Sequence, residues 1–514
     1  MRTEKTFETD EATADLAELA VKVQGFRRSG ETVALCHGTF DLLHVGHIKH
    51  LKQASEYADR LVVTITADPY VSKGPDRPIF NDELRAEHLD ALAFVDAVAV
   101  CQDVTSLPAI HAVRPDFYVK GEEYRDEDED ITGNITLERE AVEEHGGRII
   151  FTGGLVFSST KLLNDHFDVF TPQQKRYLTD MTQTTSAAEV SQAIDRLQDL
   201  KVLVVGDTII DEYHYTSPLG QTGKYNVPAV CMENEEQFAG GAVAVANHVA
   251  GFGGQVTLLS ALGETASQEL FIRRNMKPNV KAKFFWFKDR PTVVKRRYMA
   301  NDMSRLLEVY YFKDEGADGR VDAQAADWLQ ENLSSYDLVV VPDFGNGLIG
   351  ERMVETLCEH APFLAVNTQF NSGNRGFHVA TRYRRADFLS LNEPELRLAA
   401  QDKFSPIADV ARRIADRLDV QALAVTRGTD GVMLIDRRND QLHEVPALST
   451  KVVDRIGAGD AFLSLASLLF KGTGDAGMSA FGGSVAAALN VQVVCNSDST
   501  HASALLKYVT TLLK

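Results

Sequence analysis

Cys36-His37-Gly38-Thr39-Phe40-Asp41-Leu42-Leu43-His44-Val45-Gly46-His47-Ile48-Lys49-His50 is the stretch on which the fold of the N-terminal half turns. The apolar run Val33-Ala34-Leu35 leads into it, and Leu51, Ala54, Tyr57 and Ala58 behind it share one helical face. The pattern predicts a strand, a glycine-containing turn and a helix. The turn sets His44 and His47 three residues apart at the start of that helix, where N–H groups and the helix dipole favour an anion. Gly46 leaves room for close approach of backbone or ligand. Two imidazoles facing a polyphosphate stabilise charge that develops on a transferring phosphoryl group and on departing pyrophosphate. A bare His-x-Gly-His would favour a metal-ligand pair or two surface histidines; the longer string does not.

Around this turn, strands and helices alternate. Residues 10–29 carry Leu16, Leu19, Ala20 and Val23 at helical spacing, and Gly30 ends the pattern. Leu61 to Thr66 is a β-branched run suited to a buried parallel strand, and Val98-Ala99-Val100 and Phe117-Tyr118-Val119 are shorter ones. Lys73 to Pro78 is a loop by its glycine and prolines, and 82–94 is helical with Arg85 on the polar side. Such alternation predicts an α/β fold with a doubly wound parallel sheet and ligands at the strand C-terminal ends. The acidic run Glu122 to Asp130 is a solvated loop. Gly153 to Lys161 runs from loop into helix, with hydroxyls placed to cap it or to meet phosphate.

Gly38 to His47 resembles the nucleotidyltransferase superfamily that contains glycerol-3-phosphate cytidylyltransferase and the heptose-1-phosphate adenylyltransferases, and the resemblance covers roughly 28–165. It implies a nucleotide- and phosphate-binding site from Gly38, Thr39, Phe40, Lys73, Arg85, Ser159 and Thr160, with His44 and His47 catalytic. Ser159 and Thr160 match the superfamily's Ser-Thr-Thr signature, although the arginine that opens it in the cytidylyltransferases is not evident. Lys120-Gly121 would lie beside the base pocket.

Residues 171–190 are polar and weakly patterned, which divides the chain into 1–170, a linker over 171–190, and 191–514. Val202 to Val205 opens a second α/β series, followed by Gly206, Asp207 and Asp211, whose carboxylates suit sugar hydroxyls. Gly240-Gly241 opens an Ala- and Val-rich helix. Strands then lead to Asp343, to Asn392 and Glu395, and to Thr426-Arg427-Gly428. Gly457-Ala458-Gly459 before Asp460 turns successive N–H groups toward an anion, and Asp460 is placed to take a proton from an incoming hydroxyl.

Taken together, 190–514 resembles the ribokinase-like (PfkB) sugar kinases, most closely the kinase half of the bifunctional ADP-heptose synthases. The resemblance implies Asp460 as catalytic base; Asn392, Glu395, Thr426, Gly428, Gly457, Ala458 and Gly459 at the nucleotide; and Asp207, Asp211, Gly240, Gly241, Lys295, Arg297 and Asp343 at the sugar. The order of the halves is reversed from that family's usual one. Ala244 stands where members carry asparagine, Asn367-Thr368-Gln369 where an Asp-Pro-Lys-like turn is common, and Ile456 where threonine is usual. One lost hydroxyl contact redirects specificity strongly.

Composition bounds the rest. At 514 residues the chain needs two or three cores, and 44% hydrophobic with 25% charged residues is ordinary for a globular protein. A net charge of −20 argues against nucleic-acid and anionic-membrane partners. No apolar run is long enough for a bilayer and the N-terminus opens no signal-type segment. Five scattered cysteines without Cys-x-x-Cys fit reduced thiols in a cytoplasm and no structural zinc. The sequence therefore predicts two doubly wound, Rossmann-like domains in a cytoplasmic homodimer making nucleotide sugars. An ATP-dependent kinase for a heptose-phosphate-like sugar is joined to a nucleotidyltransferase that uses ATP or CTP, both with Mg2+ and with no resident protein-held metal. The alternative is a cytidylyltransferase for a polyol or sugar phosphate with a non-catalytic kinase-like domain.

Overall fold

A computed structural model describes residues 15–71, 77–121, 134–153, 170–300, 302–374, 376–449 and 451–513. Lys73, Ser159, Thr160 and the acidic run from Glu122 to Asp130 lie outside the described residues. The chain forms two compact units, Met1–Thr171 with Leu506–Lys514, and Pro172–Leu505.

The first unit is built on one five-stranded parallel sheet. Its strands are β1 (Val33–Gly38), β2 (Arg60–Thr66), β3 (Ala97–Cys101), β4 (Phe117–Gly121) and β5 (Arg148–Thr152), in the order β3-β2-β1-β4-β5. Side chains alternate across the sheet with period two. Val33 and Leu35 of β1 enter one apolar cluster with Val62, Ala97 and Ala99, whereas Ala34 and Cys36 enter another with Leu61, Val63 and Val98. Both faces are thus covered, as the unbroken β-branched runs require. The strand order reverses at β1, so the C-terminal ends of β1 and β4 flank the switch point where such sheets bind ligands.

The second unit carries a nine-stranded sheet. Its strands are β6 (Lys201–Val205), β9 (Gln255–Thr265), β10 (Val280–Pro291), β13 (Leu338–Asp343), β14 (Leu364–Thr368), β15 (Ala386–Asn392), β16 (Val420–Thr426), β17 (Val432–Asp436) and β18 (Gln441–Val445). They run β10-β9-β6-β13-β14-β15-β16 in parallel, and β17 and β18 add antiparallel at the edge. A separate four-stranded sheet joins β7 (Thr208–Gln221), β8 (Pro228–Gly241), β11 (Val293–Met299) and β12 (Arg305–Tyr311) in the order β12-β11-β7-β8. The sequence pattern did not reveal this second sheet. Its outer residues are exposed, so they lack the apolar alternation that marks a half-buried strand.

Two boundaries differ from the sequence reading. The stretch read as a linker over 171–190 forms the helix Pro172–Thr184 and most of the helix Ala187–Asp195, which Ser186 opens with a capping box to Glu189. The compact units also divide differently near the C-terminus. The unit boundary falls within the helix Ala502–Leu512, and Lys507 Nζ donates to the Val104 carbonyl of the first unit's own fold at 3.4 Å.

Candidate functional site

In the first unit, His44 is the N-cap of the helix Val45–Ala54. Its Nδ1 accepts from the N–H groups of Gly46 at 3.1 Å and His47 at 3.3 Å. A lone pair on Nδ1 puts the hydrogen of the neutral ring on Nε2. Burial holds the His44 pKa below the usual imidazole value, which keeps the ring in that neutral form. His47 has the opposite arrangement, since its Nδ1 lies 3.1 Å from the Leu42 carbonyl and only a donor bonds there. The two rings stack with centroids 3.9 Å apart and planes 15° from parallel. Phe40, in the left-handed region at φ 49, packs edge-on to His47 at 5.3 Å. Gly38 ends β1 beneath them.

Arg85 corrects the sequence reading. It is not on a polar helix face but among the largest fully buried side chains of the molecule. Its Nε donates to Phe80 O at 2.9 Å and Nη1 to Thr39 O at 2.6 Å, while Nη2 reaches Thr66 O at 2.8 Å and Asp68 Oδ1 at 2.6 Å. Four of its five N–H groups are therefore spent on the walls of the site, and a phosphate contact is not its arrangement. Thr39 is buried and meets Arg85 through its carbonyl. Asp41 plays a similar part, accepting from Ile79 N at 2.7 Å and Phe80 N at 3.2 Å. Lys120, at the end of β4, pairs with Glu138 at 2.7 Å.

The second unit holds a cleft of about 1460 Å³. Asp211, Gly241, Lys295, Arg297, Asn392, Thr426, Gly428, Gly457, Ala458, Gly459 and Asp460 all line it. Gly457 sits at φ 86, in the left-handed region, and the helix Ala458–Thr473 starts directly after it. A side chain there would meet Asn496 Oδ1 at 2.1 Å, so only glycine fits. Asp460 is buried in the first turn of this helix. Burial first, then repulsion from Asp211, raises its pKa to about 7 against the pull of Lys295. A carboxylate poised near neutrality suits a proton acceptor.

Facing residues come from the four-stranded sheet. Asp211 of β7 lies opposite Lys295 of β11, and Arg297 donates from Nη1 to Asp211 Oδ1 at 2.5 Å. Burial lowers the Lys295 pKa, and its ammonium lies over the Tyr310 and Phe344 rings. Arg305, Glu308 and Tyr310 of β12 complete this wall, and the sequence reading missed them. Their signal is the register: Tyr310 pairs with Lys295 and Glu308 with Arg297, a relation invisible until β11 and β12 are known to be neighbours.

Four expected ligand-binding residues, Asp207, Asp343, Gly240 and Glu395, lie outside the cleft wall. Asp207 accepts from Asn346 N and Leu348 N, each at 3.1 Å, so its carboxylate ties down the loop after β13 rather than meeting sugar hydroxyls. Burial first and then nearby Asp343 raise its pKa to about 6. Asp343 is itself buried against His378 at 2.8 Å, Arg382 at 2.9 Å and the Tyr383 hydroxyl at 2.7 Å. Burial favours its neutral form, but those partners outweigh burial and hold its pKa below the usual carboxylate value. Gly240 lies outside the cleft wall, where a Cβ would fall 1.9 Å from Asp211 Oδ2. Asn392 and Glu395 form a reciprocal capping box on the helix Glu393–Ala400, and Glu395 also accepts from Phe370 N at 3.2 Å. Asn392 reaches the cleft wall, Glu395 does not, and burial raises the Glu395 pKa to about 7. Ala244 is buried and outside this cleft's wall, whereas Ile456 and Gln369 line it.

A parallel sheet with an added four-stranded sheet, and a glycine turn opening a helix whose buried aspartate lines the cleft, fit the class of sugar-phosphorylating α/β enzymes. The sequence pattern of the pfkB family carbohydrate kinases matches residues 199–501, and the chain belongs to that family. Residues 35–178 match the cytidylyltransferase-like family. The bifunctional protein HldE of Shewanella piezotolerans is 30% identical over 286 residues, covering 55% of this chain and 58% of that protein. The bifunctional protein HldE of Koribacter versatilis is 42% identical over 153 residues, 29% of each. The chain thus spans no more than about six-tenths of either relative. The Escherichia coli phosphofructokinase-2 structure with substrates and products aligns over 61% of this chain and all of that one, at 14% identity and a TM-score of 0.50, a likeness of fold alone.

Proposed function

We propose that the chain is a two-headed enzyme of nucleotide-sugar synthesis. The second unit phosphorylates a heptose-phosphate-like sugar with ATP, and the first joins a sugar 1-phosphate to ATP or CTP with release of pyrophosphate. The observation that carries the reading is Asp460, buried in the cleft with a pKa near 7 just behind the N–H groups of Gly457 to Gly459. Asp460 takes the proton from the attacking sugar hydroxyl, and those N–H groups face the charge on the transferring phosphoryl group. Lys295, Arg297 and Asp211 orient the sugar; Asn392, Thr426 and Gly428 border the nucleotide.

In the first unit, the sugar phosphate oxygen attacks the nucleotide's α-phosphate in line, with no covalent enzyme intermediate. Nε2–H of His44 and the stacked His47 stabilise the charge that builds there. Lys73, Ser159 and Thr160 add phosphate contacts by family resemblance. Both reactions would draw on Mg2+ brought with the nucleotide, which would supply neutralisation of phosphate charge. In the kinase cleft, the oxygens of Asn392 and Glu393 are hard donors suited to it.

Among the described residues no helix is long and apolar enough to cross a membrane, and the acidic balance supports small-molecule partners in a cytoplasm. A homodimer is supported by exposed apolar side chains on the four-stranded sheet, among them Leu219, Met232, Leu306 and Leu307.

The second reading keeps only the transferase. What favours it is Ala244, which offers no polar group where kinases of this family hold a sugar hydroxyl. Purified chain with ATP or CTP and a panel of heptose, pentose and polyol phosphates separates the two. ADP formation together with pyrophosphate release supports the bifunctional reading; pyrophosphate alone supports the other.

A further inference from the structure

On the first unit, away from the stacked histidines, a second cluster of histidines has no part in the chemistry above. The helix Leu107–Val113 buries Ala109, Ile110 and Val113 and turns His111 outward. The helix Asn134–Glu144 buries Ala141 and Val142, ends at Glu144, and is followed at once by His145. Ile110, Val113, Ala141 and Val142 belong to one apolar cluster with Val33 and Leu35 of β1, so packing fixes the two helices against each other. On their outer side, His111 Nδ1 lies 3.0 Å from His145 Nε2, with the rings edge-on at 89°. One ligand atom from each of His111, Glu144 and His145 lies within 4.8 Å of the others.

We propose that His111, Glu144 and His145 bind a zinc ion. Tetrahedral zinc with Zn–N bonds of about 2.0–2.1 Å holds two ring nitrogens roughly 3.4 Å apart. The 3.0 Å separation therefore has to open by only a few tenths of an ångström, which exposed imidazoles do by small side-chain rotations. Two imidazole nitrogens and a carboxylate suit zinc and not Mg2+ or Ca2+, which take all-oxygen sets. The site therefore does not compete for the Mg2+ of the two reactions. Three protein ligands leave a fourth position to water. Bound zinc ties the end of one helix to the other, adding a cross-link where the helices already share a core. Without metal, the same atoms form one N–H···N hydrogen bond between histidines beside an incidental glutamate, and this is the competing account.

The full-length chain, stripped with chelator and desalted, is titrated with ZnCl2 against a chromophoric zinc indicator. The wild type takes up one zinc per chain more than His111→Asn or His145→Asn; the difference is read because Cys231 and the stacked histidines also offer donors. Glu144→Gln weakens this zinc by more than the roughly 10–100-fold that loss of an outer-shell partner costs. Zinc raises the unfolding temperature of the wild type by more than that of the two histidine variants, while MgCl2 leaves all of them alike at this site. All three residues are at least partly exposed, so the variants fold, which circular dichroism checks. Equal zinc uptake by the wild type and both folded histidine variants overturns the proposal, as does an equal zinc-dependent rise in unfolding temperature.

Discussion

Arg297 donates from Nη1 to Asp211 Oδ1 at 2.5 Å, with both side chains almost wholly removed from solvent in the wall of the kinase cleft. A buried pair gains little over an apolar substitute, but removing one partner leaves an uncompensated charge. Arg297→Met is expected to cost about 3–5 kcal/mol of stability, read from the denaturation midpoint. It also frees Asp211 to turn, so the sugar KM rises more than the ATP KM. Unchanged stability and sugar KM would remove the pair from both roles.

Asp460, the proposed base, is expected to set the pH dependence of phosphorylation. With its pKa near 7, the base is protonated below that pH, so kcat climbs through pH 6–8 and levels above. Asp460→Asn lowers kcat by about 10²–10⁴ and abolishes the climb, with ATP affinity little changed because the anion-facing groups are backbone. A wild-type rate that is flat from pH 6 to 8 contradicts the assignment.

The same residue carries an opposite stability effect. Its folded pKa is raised above the ordinary 3.8, so its contribution is fully present below about pH 4 and is lost as pH rises through 7. Glu395, raised from 4.5 to about 7, behaves alike. Asp460→Asn is thus expected to be more stable than wild type at pH 8, by on the order of 4 kcal/mol at most, and to lose that advantage at pH 4. Thermal unfolding of the variant and wild type across pH 4–8 reads this directly.

His44→Ala and His47→Ala test the other unit. Each removes one preorganised group facing developing charge and lowers pyrophosphate release by about 10²–10³. Kinase activity of the same preparations stays near wild type. Near-normal pyrophosphate release in both variants contradicts the stacked pair as catalytic.

Arg85→Met separates a framework role from a phosphate-binding one. The guanidinium is fully buried and bonded to three carbonyls, so its loss leaves acceptors unpaired and destabilises the first unit by several kcal/mol, beyond the roughly 1–3 kcal/mol that one unpaired group costs. The measurement is the midpoint of the first unit's unfolding transition. A stable Arg85→Met with only a raised nucleotide KM restores the phosphate reading.

Much was fixed by the sequence alone, through local physics. The alternation of β-branched runs with helical segments specified parallel α/β layers, because strand burial and helix faces have periods that neighbours in sequence display. The glycine turns before His47 and before Asp460 were legible because backbone conformation at a helix start is a local matter. What local pattern does not carry is which partner a polar side chain meets. Asp207 finds its donors 139 and 141 residues away, and Arg85 reaches Thr39 across 46. A motif aspartate or arginine reads the same in sequence whether it faces a ligand or holds a loop. Only the tertiary structure decided between those roles, because burial and pairing arise when distant strands come together. The four-stranded sheet is the clearest case. Lys295, Arg297, Glu308 and Asp211 become one wall only through the register of β7, β11 and β12, and no spacing along the chain encodes that register.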